Sequence, residues 1–153
     1  GAENCVFSAG ELTTLEAEFH QANLVSRTSL FEAAAVRDDE PKILLRDRLD
    51  KDAPDCWLTD LGLADSFRHL GKVLLFTRVV SLRGLHMTGG FSFAFDQKHE
   101  VALIDAYRRA MWSVPEARRA QRNTGHFLGL SRTFGLPQVY EDVVPPLEPD
   151  GEK

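Results

Sequence analysis

The stretch from Val73 to Phe95 constrains the fold most, because its apolar period changes part-way along it. Val73-Leu-Leu-Phe-Thr-Arg-Val-Val-Ser-Leu-Arg83 is apolar and β-branched on both faces, the pattern of an interior strand. Phe91-Ser-Phe-Ala-Phe95 alternates strictly, setting three phenylalanines on one face and Ser92 and Ala94 on the other. Gly89-Gly90 just before it marks a turn, a bulge or a close backbone approach. Two strands this near in sequence are expected to pair antiparallel, and the phenylalanine face needs a cover.

Helical spacing flanks these strands on either side, and the C-terminal helices are expected to supply that cover. Ser8-Ala-Gly-Glu11 has capping-box spacing, and Leu12, Leu15, Phe19 and Ala22 follow it, so a helix is expected over about residues 9–22. Leu24, Arg27, Phe31 and Ala34 define a new helical face, read as a second helix or a kinked continuation to about Val36, closed before Pro41. Lys42 to Asp52 alternates charge and reads as a short exposed helix or strand. Leu63, Phe67 and Leu70 form a helical stripe that Gly71 closes.

After the phenylalanine strand, Leu103, Tyr107, Ala110 and Met111 share a face, with Asp105 spaced to pair with Arg108 and Arg109. Ser113-Val-Pro-Glu116 repeats the capping-box logic with Pro115 in the first turn, and that helix is expected to end at Asn123-Thr124-Gly125. His126 to Tyr140, apolar but broken by glycine, reads as a packed loop or short strand. The class is α+β: N-terminal helices, a small antiparallel sheet around residues 73–96, and C-terminal helices packed on one face. The 153 residues read as one domain over 1–140 and an acidic, proline-containing tail over 141–153, extended or disordered. No apolar run approaches the ~20 residues of a membrane-spanning helix.

Charge is sorted along the chain. Residues 1–65 carry 14 acidic and 6 basic side chains, a net −8. Residues 66–140 carry 4 acidic and 11 basic, a net +7, and nine of the eleven are arginine. Residues 141–153 carry 5 acidic side chains and one basic, a net −4. Such an arrangement either packs upon itself or offers a basic face to an anionic partner. Arg108, Arg109, Arg118, Arg119, Arg122 and Arg132 are the candidate anion-binding residues, since guanidinium forks match carboxylate or phosphate bidentately. The competing reading pairs them with the acidic first block. Nucleic acid is disfavoured by a pI near 5.5 and by the lack of a recognition-helix or base-stacking motif.

The two cysteines, Cys5 and Cys56, either form one disulfide or stay free with one buried. A disulfide would suit a secreted or periplasmic protein, and a start at Gly-Ala rather than Met reads as a trimmed N-terminus. Cys56-Trp57, with a helix after it and His86, His99 and His126 downstream, has the order of elements of papain-like thiol hydrolases, in which Cys56 would be the nucleophile and His126 its base. Asp55 beside the thiol opposes thiolate formation, and no upstream glutamine supplies an oxyanion donor. The five histidines lack metal-ligand spacing, and phosphate-loop, dinucleotide and GxSxG motifs are absent, so no metal or cofactor is expected. The leading expectation is a non-enzymatic domain that binds a small anionic ligand or an acidic protein surface through arginines 108–132. A reversed version is an acidic inhibitor or immunity-type protein acting through residues 1–65, and the enzymatic alternative is the thiol hydrolase.

Overall fold

A computed structural model describes residues 13–137. Its elements are α1 (Thr14–Leu24), β1 (Arg27–Val36), β2 (Lys42–Asp47), β3 (Cys56–Thr59), α2 (Leu61–Leu70), β4 (Val73–Leu82) and β5 (Leu85–Asp96). A single 3-10 turn (Gln97–His99), α3 (Glu100–Met111) and α4 (Glu116–Phe134) complete it. The α+β class holds, but the sheet is larger than the 73–96 hairpin. Five strands close a barrel in the order β1-β2-β3-β5-β4, with β4 returning to β1. All pairs are antiparallel except β3 with β5, which share one parallel pair, Leu58 with His86. A three-stranded meander, a helix across the β3–β4 connection and a closing hairpin make this a closed five-stranded barrel.

The barrel has two apolar layers. Inside it Phe31, Ile43, Leu45, Leu58, Leu75 and Val79 meet Ala64 and Phe67 of α2, which plugs one end. Outside it Leu30, Leu74, Phe76 and Phe95 meet Leu103 of α3 and Phe127 of α4. Successive residues of β1 and β4 therefore enter different cores. That explains the two-faced run at 73–82. It also overturns the helix expected over 24–36, because a strand buried on both faces has no period-2 signal to compete with a chance helical spacing. The segment 42–52 is likewise not an exposed element: its first half is β2, with Ile43, Leu45 and Asp47 buried.

The hairpin β4–β5 pairs as expected, with Phe76 opposite Phe93 and Leu74 opposite Phe95. Phe91, Phe93 and Phe95 do share the face toward α3 and α4, although only Phe95 is fully buried. Between Thr77 and Val79 the register shifts, so Gly89-Gly90-Phe91 bulges against Arg78. Gly90 has φ +101°, and a Cβ on Gly89 would run into the Arg78 side chain, which is why two glycines stand here.

Helix boundaries differ where tertiary packing overrides local signals. The Ser8–Glu11 capping box lies outside the described residues; α1 instead starts at a capping box of Thr13 and Glu16, whose carboxylate accepts from Thr13 N at 2.7 Å. Leu61–Leu70 ends at Gly71 with φ 73°, as its stripe implied. Pro115 is the N-cap of α4 rather than part of its first turn, and no Ser113–Glu116 box forms. The helix then runs through Asn123-Thr124-Gly125 to Phe134, correcting the loop expected after His126. Phe127, Leu130 and Phe134 bury one side of it on the barrel, which outweighs the ~1 kcal/mol that each interior glycine costs. Among the described residues no helix is long and apolar enough to cross a membrane.

Candidate binding surface

The six candidate arginines fall on the two C-terminal helices: Arg108 and Arg109 in the last turn of α3, the other four along α4. All six are exposed. The bend between the helices is fixed by buried Met111 and Val114, by Val114 N donating to Met111 O (3.1 Å), and by Arg119 Nε donating to Val114 O (3.0 Å). Five arginines thus fall within about two helical turns of this bend in sequence, and two of them, Arg118 and Arg122, line a cavity of about 290 Å³ with Ser113, Val114 and Pro115. Arg132 stands apart, ~15 Å along the helix from Arg122 at ~1.5 Å per residue.

At ~100° per residue, Arg118, Arg122 and Arg132 share the outward face of α4, opposite buried Asn123 and Phe127. Gly125 and Gly129 lie on the same outward arc between them. Among the described residues nothing comes within 4 Å of a Cβ placed on either glycine, so packing does not require them. Trp112, at the end of α3, is 88% exposed. Composition and helical spacing gave no reason to single out this tryptophan or the glycine pair; only their exposure does.

The electrostatics divide the arginines into two groups. Arg27 pairs with Asp47, Arg37 with Glu40, Arg46 with Asp55, Arg48 with Glu100, Arg68 with Asp65 and Arg83 with Glu18. Arg78 donates to Asn23 Oδ1 at 3.3 Å. By contrast, none of the six on α3 and α4 makes an ion pair among the described residues. Among the described residues the pair expected between Asp105 and Arg108 or Arg109 is not formed, and none of the six pairs with an acid of the first block. On the barrel face over β2 and β3 the charges are already paired. There Arg37 stacks on Trp57 at 4.8 Å, Arg46 meets Asp55, and Lys42 meets Glu40 at 2.5 Å.

A model for a family of unknown function (DUF7986) matches residues 6–141. The chain belongs to this family. No curated protein and no solved structure matches it.

Within this family member Cys56 is a half-buried free thiol on β3, packed against the barrel interior rather than opening a helix. Cys5 lies outside the described residues. Burial pushes the Cys56 thiol above its ordinary value; Arg27 pulls it down, and Asp55 and Asp47 push it further up. No described histidine hydrogen-bonds to it. His126 sits on α4 with its ring edge-on to Phe127, 5.4 Å between centroids, and its buried Nε2 has no partner among the described residues. His86 Nδ1 is 2.7 Å from Ser81 Oγ, and His99 packs on Phe134 instead of capping α3.

Proposed function

We propose that this protein is a non-enzymatic binding domain whose α3–α4 surface docks an acidic protein partner. One observation carries the reading: six exposed arginines lack carboxylate partners among the described residues, while six of the barrel and its flanking helices each have one. An unpaired guanidinium keeps its full charge and its planar fork for a partner's carboxylates. Exposed Trp112 beside this cluster favours a protein surface over a small anion, because tryptophan and arginine dominate the energetics of protein interfaces. Gly125 and Gly129 leave the helix bare between Arg122 and Arg132, so a partner backbone could approach α4 closely.

The reversed reading, an acidic inhibitor surface over residues 1–65, draws less support, since Glu18, Glu32, Glu40, Asp47, Asp55 and Asp65 are already engaged with bases. The thiol hydrolase reading would need a base at Cys56 that the described residues do not supply.

Immobilised poly-glutamate and a column of heparin test the proposal. The protein should be retained on poly-glutamate at low ionic strength and released as salt rises. Arg118→Glu with Arg122→Glu should abolish retention, Trp112→Ala should weaken it several-fold, and Lys51→Glu on the far acidic block should leave it unchanged. Retention on heparin that Trp112→Ala does not affect would point to a small or sugar-borne anion. Absence of retention on both would end the proposal.

A further inference from the structure

The outward side of α4 carries a straight seam. Arg118, Arg122, Gly125, Gly129 and Arg132 recur at alternating intervals of four and three residues. At ~100° per residue this spacing keeps all five within an arc of about 80°, opposite buried Asn123 and Phe127. Alternating fours and threes average about 3.5 residues, the repeat along which two helices pack at a shallow crossing angle of about 20°. The seam is ~21 Å long from Arg118 to Arg132, at ~1.5 Å per residue.

Resting on the docking of an acidic protein at this surface, we propose that the docked element is an acidic α-helix lying along this seam. The charges at its two ends set the partner's chemistry. Arg118 and Arg122 stand one turn apart, Arg132 stands beyond the glycines, and none of the three has a carboxylate partner among the described residues. An element that engages all three must present acids over ~21 Å, whereas a bend or short loop reaches one end only. A second copy of the seam would set arginines against arginines in either direction, and such like-charge juxtaposition disfavours self-pairing. The glycines between the charges set the partner's shape. Among the described residues nothing lies within 4 Å of a Cβ placed on Gly125 or Gly129, so an approaching helix meets backbone there and can come close. Leu128, 41% exposed, flanks the glycines and supplies apolar contact beside them.

Fluorescence anisotropy of labelled peptides with the full chain, at low salt, tests this. One peptide is a stapled helix of about 20 residues with glutamates spaced to match Arg118, Arg122 and Arg132, in doublets at both ends so that either direction fits, and alanine between them. Its counterpart keeps the glutamates but lacks the staple and carries a central proline, which breaks the helix. The helical peptide should bind about tenfold more tightly. Arg132→Ala should weaken the helical peptide about fivefold and leave the counterpart unchanged, because only a rod spans Arg122 to Arg132. Gly125→Leu with Gly129→Leu should weaken the helical peptide about tenfold without lowering the melting temperature, since leucine is the better helix former and both sites are open. Equal binding of the two peptides, each lost in Arg118→Glu with Arg122→Glu, would overturn the helix and leave the acidic docking surface standing. Helical binding that survives the two leucines would overturn it as well. Failure to bind either peptide also overturns the helix, and retention on poly-glutamate then decides whether the docking surface falls with it.

Discussion

Leu30 and Phe31 are adjacent in β1 and both fully buried, yet they belong to different cores. Phe31 points into the barrel with Leu45 and Phe67, whereas Leu30 points outward to Leu103 and Phe127. The outer layer is what fastens the arginine-bearing helices to the barrel, through Phe127 stacked on Phe76 at 4.1 Å between centroids.

The two layers should therefore respond differently to truncation. Phe31→Ala should cost about 3–5 kcal/mol and weaken the whole barrel. Phe127→Ala should cost a similar ~3–5 kcal/mol, with hydrogen exchange speeding up first in α4. Denaturant melts combined with exchange distinguish the outcomes; uniform loss of protection in Phe127→Ala would show that the layers are not separable.

Gly125→Ala and Gly129→Ala should each stabilise the protein, by roughly 0.5–1 kcal/mol, because alanine is the better helix former and open space surrounds both sites. If α4 is the docking face, the double variant should at the same time bind poly-glutamate several-fold more weakly. Thermal melts and retention measured on the same samples check both halves.

Cys56 should alkylate slowly with iodoacetamide at pH 7, because burial holds the thiol above its ordinary value and the thiolate is the reactive form. The rate should climb only at alkaline pH and should be the same in His126→Ala. The raised thiol value also fixes a sign: the neutral form is favoured in the folded state, so its contribution is complete below the unfolded value and is lost as pH rises through the folded one. Fast labelling at neutral pH that depends on His126 would restore the thiol hydrolase.

Burial lowers the pKa of His126 below its ordinary 6.5. Below that value the unfolded chain binds a proton that the folded chain resists, so stability present above pH 6.5 should decline as pH falls through the depressed folded value. His126→Gln should flatten this part of the profile. Melting temperatures taken between about pH 7.5 and pH 5 check it.

Local chemistry was legible wherever one physical signal dominated. The Phe91–Phe95 alternation, the apolar run from Val73 and the Gly71 stop each depend on a few neighbouring residues, and each reappears in the structure. The Leu24–Val36 stretch was not legible, because Leu30 and Phe31 are called to opposite cores and no periodic face survives. Glycines 125 and 129 argued for a break in α4, and only the barrel surface beneath Phe127 and Phe134 explains why the helix continues. The arginine cluster could be named from the sequence, but whether Arg118 or Arg122 finds a carboxylate depends on which helix faces which strand.

The sequence by itself determined the α+β class, the β4–β5 hairpin and the sorting of charge, because propensity, period and composition act over short separations. The tertiary structure alone decided that five strands close a barrel and that Arg27, Arg46 and Arg48 find carboxylates there. It also decided that the arginines on α3 and α4 stand unpaired among the described residues. Such pairings join residues as distant as Glu18 and Arg83 or Arg48 and Glu100, and their free energy appears only once the chain has closed.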